Sequence, residues 1–244
     1  MRDLVTETIW AAAREQLTEG HTTGAETPVR WALTGVAYEG FNGVYDPDLT
    51  QPGLIARVMP PFVAAGLPML WHCEQSTVDD RVRADFAAAG IEHYETEPGM
   101  VADLAPAEPV RGPVRIVTVG DSQMPTWARL LTGQQDGELV TGTARLRSAR
   151  TSVTHLLGLL DGVPVSCGAV YLGPGAALVE HVVTAETARG RGAGTAVTRA
   201  CLDVARAAGY RHAVLTASPD GAGIYTRLGF RTVCHVERFE WAPR

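Results

Sequence analysis

Apolar positions recur at two different spacings along this chain, and the change from one to the other falls at glycines. Val197, Ala200, Cys201, Val204 and Ala208 share one face at helical spacing, with Arg199, Asp203 and Arg206 outside, so 195–208 reads as an amphipathic helix that Gly209 stops. Ahead of it, Ala177 to Thr184 is strand-like; behind it, His212 to Ala217 reads as a buried strand. A short helix ends at Leu228-Gly229, and Phe230 to Trp241 forms one further strand or two. Upstream, Val114 to Val119 reads as a strand and the stretch from Pro125 to Leu131 as helical, while 132–150 is polar and carries no clear period. Thr151 to Leu160, Val165 to Leu172 and Ala177 to Thr184 are separated by turns at Asp161-Gly162 and Gly173-Pro174-Gly175, which makes an antiparallel meander.

The first half repeats the ending of the second. The run from Val63 through Gly66 to Ser76 parallels the run from Arg206 through Gly209 to Ser218, and Phe86 to Ile91 parallels Tyr225 to Phe230. The offset is 143 at the first pair of glycines and 139 at the second. Arg30 to Val36 and Asn42 to Tyr45 are strand-like, and Gly53 to Phe62 is helical. Pro106, Pro109, Gly112 and Pro113 mark a linker, so the expected division is 1–108 and 109–244.

Composition narrows the function classes. The 244 residues are 45% hydrophobic and 20% charged, ordinary globular material. There is no apolar run of membrane-spanning length and no secretory core at the start, and Cys73, Cys167, Cys201 and Cys234 are isolated, which together point to the cytoplasm and to no membrane partner. The chain has no lysine: all 21 basic residues are arginine, which excludes a Walker loop and a Schiff-base lysine. The net charge of −6 is divided unevenly. Residues 1–108 hold 6 arginines against 17 acids, and residues 109–244 hold 15 arginines against 10 acids. The acidic half is no partner for nucleic acid; the basic half suits a polyanion.

The chemistry concentrates at Arg189-Gly190-Arg191-Gly192-Ala193-Gly194, between the strand 177–184 and the helix 195–208. Three glycines let the backbone approach a ligand closely, the helix start turns unpaired N–H groups toward the same spot, and two arginines add charge. Strand, glycine-arginine turn and helix make a pyrophosphate cradle. A dinucleotide site fits poorly, because the glycine spacing is wrong and the next strand ends in Thr216-Ala217-Ser218 with no acid.

The order Arg-x-x-Gly-x-Gly resembles the acyl-CoA loop of the GCN5-related N-acetyltransferases (GNATs). Ile224-Tyr225-x-x-Leu228-Gly229-Phe230, about thirty residues on, resembles the tyrosine-bearing helix of the same family. The resemblance covers 114–241 well and 28–105 loosely. It implies an α/β fold of two GNAT-like domains in tandem, each a mixed, mostly antiparallel twisted sheet flanked by helices. It further implies a bulge in the strand 178–184 that splays it from the strand 212–217 and admits the pantetheine arm. Val182, Val183 and Thr184 would offer backbone groups to that arm. Arg189, Gly190, Arg191, Gly192, Ala193, Gly194 and Thr195 would hold the pyrophosphate of acetyl-CoA, with no metal. Tyr225 would protonate the departing thiolate. The acceptor's proton could go to Glu180, to His181 if the bulge overrides strand alternation, to water, or to a residue near the first half; the oxyanion would sit on a backbone N–H of 182–183.

In the first half the matching loop, 45–53, has one glycine, two aspartates and no arginine, and Phe86 stands where Tyr225 does, so that domain is expected to bind no CoA. The expected activity is transfer of acetyl from acetyl-CoA to a primary amine of a small molecule, by direct attack in a ternary complex. Another acyl donor, or a CoA-binding sensor without catalysis, remains open, as does the oligomeric state. Ser218 and Trp127 are candidates for the acceptor side or for plain packing, and His155 reads as a satisfied strand histidine.

Overall fold

The computed structural model describes residues 1–15, 22–26, 29–45, 47–106, 112–149 and 152–243. The chain runs α1 (Arg2–Glu15), β1 (Thr22–Glu26), β2 (Val29–Leu33), β3 (Gly43–Tyr45), α2 (Leu54–Val58), α3 (Pro60–Ala65), β4 (Met69–Glu74), α4 (Asp80–Ala88) and β5 (Glu92–Asp103). It continues with β6 (Arg115–Thr118), α5 (Met124–Thr132), α6 (Glu138–Ser148), β7 (Val153–Leu160), β8 (Val163–Leu172), β9 (Ala177–Thr184), α7 (Ala193–Ala207), β10 (His212–Thr216), α8 (Ala222–Arg227) and β11 (Arg231–Trp241). Most of the linker expected at 106–113 lies outside the described residues.

The fold is α/β, built on one 11-stranded sheet in the order β1-β2-β3-β4-β11-β5-β10-β9-β8-β7-β6. Neighbours are antiparallel except β3–β4 and β9–β10. These two parallel pairs sit at matching points of the two sequence halves. Next to each, the final strand of one half is inserted into the other: β11 pairs with β4, and β5 pairs with β10, while β5 and β11 pair with each other at the centre. The cores follow the exchange. Phe239 of β11 is buried with Val44, Phe62, Trp71 and Phe86 of the first half. Met100 and Ala102 of β5 are buried with Val197, Cys201, Leu202 and Leu215 of the second.

Two helices depart from the sequence reading. The stretch 132–150, read as polar and aperiodic, contains α6, which buries Val140, Thr143, Leu146 and Arg147 at helical spacing. The N-terminal residues form α1, which buries Val5 and Ala12 against the second-half core. On the opposite face α7 packs directly on β8. A Cβ on Gly168 would come within 2.5 Å of a Val197 methyl, so only glycine admits the helix at that distance.

Candidate active site

The parallel pair β9–β10 opens the sheet. Its register holds Ala177 to Ala213 and Leu178 to Val214, and beyond that the strands part. On its other edge β9 carries the expected bulge. Cys167 pairs with Val183 and Ala169 with Glu180, so His181 and Val182 together face Gly168. His181 takes a left-handed φ of 56°, a conformation that costs an L-residue about 1–2 kcal/mol. In a regular strand Glu180 and His181 would point to opposite faces; the bulge cancels the alternation and turns both toward one guanidinium.

That guanidinium belongs to Arg147, fully buried at the end of α6. Its Nη2 donates to Glu180 Oε1, its Nε donates to His155 Nε2 at 3.1 Å, and its Nη1 lies 3.4 Å from His181 Nε2. The rings of Trp127 and Phe41 flank it, with centroids 5.5 and 6.0 Å from Cζ. A buried charge survives only when paired and hydrogen-bonded, and Arg147 is both. Because a guanidinium can only donate, His155 accepts this bond through its Nε2. His155 is thus a satisfied core histidine. Trp127 is also buried: its indole N–H donates to the carbonyl of Gly168, opposite the bulge, at 3.0 Å.

The opened sheet floors a cavity of about 340 Å³. Glu180, His181, Val182, Val183, Ser218 and Tyr225 line it from the second half. The first half contributes Ile9, Ala12 and Ala13 of α1 together with Tyr38, His72 and Glu97. Burial, reinforced by Cys201 and Glu97, pushes the Tyr225 hydroxyl up to about 12. It therefore stays protonated at neutral pH.

On the α7 side lies a second cleft of about 630 Å³. Arg191, Gly192, Thr195 and Arg199 line it together with Arg227 of α8 and Leu228 just after it. Gly192 caps α7 with a left-handed φ of 79°, and the first bond of the helix runs from Ala196 N–H to Gly192 O at 3.0 Å. Ala193, Gly194 and Thr195 thus occupy the turn whose N–H groups have no intrahelical acceptor. Gly194 lies against Thr184, where a Cβ would come 3.2 Å from Oγ1. Arg189 and Gly190 are exposed on the same loop, and Arg191 lies 4.0 Å from Asp161. α8 joins the two spaces: Tyr225 faces the first, and Arg227 and Leu228 face the second.

Residues 123–230 match the acetyltransferase (GNAT) family model. This segment is a GNAT domain. It runs from the turn before α5 to the end of α8 and contains the bulge, the glycine-arginine loop and Tyr225. No curated protein matches the chain. Solved structures similar in fold include a GCN5-related N-acetyltransferase from Kribbella flavida, with TM-score 0.70 and 14% identity over 98% of this chain and 96% of that one. A conserved protein of unknown function from Staphylococcus epidermidis aligns with TM-score 0.65 and 12% identity over 94% and 97%. A tandem GNAT protein from the clavulanic acid biosynthesis pathway aligns with TM-score 0.55 and 15% identity over 99% and 94%. These alignments extend beyond the GNAT domain into the first half.

The residues that sequence reasoning missed are Arg147, His72, Glu97 and Arg238. None lies in a motif. Arg147 sits in the helix that went unread, strand exchange brings Glu97 and Arg238 to the cavity, and His72 on β4 pairs beside Arg238. Among the described residues, no cluster of His, Cys, Asp and Glu is set to hold a metal ion, and no helix is long and apolar enough to cross a membrane.

Proposed function

We propose that the chain transfers an acetyl group from acetyl-CoA to a primary amine of a small molecule by direct attack in a ternary complex. The observation that carries this is the placement of α8 between an arginine-lined cleft and a cavity holding a protonated tyrosine. The N–H groups of Gly190 to Thr195, with Arg189 and Arg191, hold the pyrophosphate. Val182, Val183 and Thr184 offer backbone groups to the pantetheine arm where β9 leaves β10. The amine nitrogen bonds to the thioester carbonyl carbon, and an N–H of 182–183 steadies the oxyanion. Glu180, oriented by Arg147 and by the neighbouring His181, accepts the amine's proton. The C–S bond then breaks, and Tyr225 gives its proton to the sulfur.

In this reading residues 109–244 are the catalytic unit and 1–108 are a degenerate copy that walls the acceptor side. The four free cysteines suit a reducing cytoplasm. The test is titration of the purified chain with acetyl-CoA, followed by mass spectrometry of amines incubated with both. One acetyl-CoA per chain and an acetylated amine are expected. Binding without transfer to any amine would leave a sensor instead of an enzyme.

A further inference from the structure

A row of polar side chains crosses the middle of the sheet under the cavity, one strand at a time. Tyr45 of β3 is in register with His72 of β4, His72 with Arg238 of β11, and Arg238 with Glu95 of β5. The Tyr45 and His72 rings stack at 4.8 Å. Glu97 lies two residues along β5, on the same face as Glu95. Arg238 Nη2 is 2.6 Å from Glu97 Oε2 and donates to Thr216 Oγ1 of β10 at 3.0 Å, while Nη1 is 3.8 Å from Glu95 Oε1. This row exists only because β5 and β11 have changed places between the halves.

Three buried atoms in the row have no hydrogen-bond partner among the described residues: His72 Nε2, Arg238 Nε and Glu97 Oε2, the last ion-paired with Arg238 Nη2 at 2.6 Å. All three belong to side chains that line the cavity. A buried polar atom without a hydrogen bond is costly, so a cavity lined by side chains that keep such atoms is suited to a molecule that satisfies them. Their chemistry is complementary. Arg238 Nε can only donate and Glu97 Oε2 accepts, while burial and the Arg238 charge keep His72 neutral. Glu97 also acts on Tyr225, whose hydroxyl it helps hold protonated, which puts the row beside the proposed reaction centre.

We propose that the acceptor is amino-acid-like: its carboxylate is taken by Arg238, with His72 beside it, and its amine N–H is accepted by Glu97. The inference rests on the acetyl-transfer reading. It adds that both halves of the chain select the acceptor. A site that must hydrogen-bond its substrate rejects analogues lacking the group far more strongly than an apolar pocket rejects a missing methylene.

The experiment compares amino acids with their decarboxylated amines and methyl esters as acceptors for the purified chain. Acetyl-CoA binding is measured separately by calorimetry. The expected result is a kcat/KM about 100-fold or more higher for the amino acids. Arg238→Gln and Arg238→Lys should bring that ratio to within about tenfold with acetyl-CoA affinity unchanged, because the loss is confined to the carboxylate contact. The wild-type comparison stands even if a variant fails to fold. Equal or better rates with the decarboxylated amines, or an unchanged ratio in a folded Arg238 variant, would overturn the proposal and leave acetyl transfer intact. Absence of acetyl-CoA binding would overturn both.

Discussion

Gly53 and Gly192 stand at matching points of the two halves, each capping a helix in the left-handed conformation, at φ 66° and 79°. What surrounds them differs. Gly192 has Arg189 and Arg191 before it and opens a helix of 15 residues. Gly53 has Asp48 before it, bonded to Thr50 and Gln51, and opens a helix of 5 residues that breaks at Pro60. Tyr225 faces the shared cavity, whereas Phe86 is buried against Trp71 and Phe239. The backbone plan is common to both halves, while charge, helix length and one phenol separate them. A glycine turn alone is a geometry; it becomes an anion site when arginines and a long helix stand behind it.

The strongest break of this comparison is to separate the halves. Residues 109–244 alone would lose β5 from between β10 and β11, and with it the Met100 and Ala102 part of their core. We expect that fragment to lack a cooperative thermal transition, while the whole chain melts in one. A fragment with a sharp melt and native circular dichroism would show the exchange to be dispensable.

Next is the phenol. Tyr225→Phe makes the second half like the first and should lower kcat about 100-fold or more, a usual yield of a positioned acid, with acetyl-CoA affinity unchanged. The reciprocal Phe86→Tyr should create no second active centre. Since the hydroxyl is pushed up to about 12, the wild-type rate should show no loss of this donor as pH rises to about 10. Smaller again is the loop charge. Arg189→Asp with Arg191→Asp should weaken acetyl-CoA binding about 10- to 100-fold in calorimetry, whereas Asp48→Arg should leave one acetyl-CoA per chain.

The mildest effect concerns His72, which the fold keeps neutral. Its lowered pKa means that its stabilising contribution is present above the unfolded value of 6.5 and is lost as pH falls below it. The slope for one such proton is at most about 1.4 kcal/mol per pH unit. Melting temperatures between pH 7 and 5 should fall in the wild type and fall less in His72→Phe; equal slopes would remove His72 from the account.

Much of the second half was legible from local pattern. The strand 177–184 matches the sequence reading at both ends, and α7 is displaced by two residues at its start and one at its end. The bulge followed from the resemblance, and the repeat from the paired glycines. The helix α6 was missed because Gly133, Gly137 and several threonines and arginines mask a short buried stripe at Val140, Thr143 and Leu146. Arg147 could not have been singled out, since an arginine on a polar helix ordinarily faces water and its burial depends on tertiary partners such as Trp127, Phe41, His155 and Glu180.

The amino-acid sequence by itself determined the local elements, the glycine-arginine loop with its charge, the phenol at 225 and the internal repeat. Each of these is a matter of residue type at short spacing, where propensity, turn geometry and formal charge act directly. Tertiary structure alone decided that the halves share one sheet by trading β5 and β11, that a buried guanidinium orients Glu180, and that His72, Arg238 and Glu97 meet beneath one cavity. Those contacts join residues far apart in the chain. An apolar strand carries the same alternation whichever neighbour it pairs with, so its partner is chosen by the packing of the whole sheet.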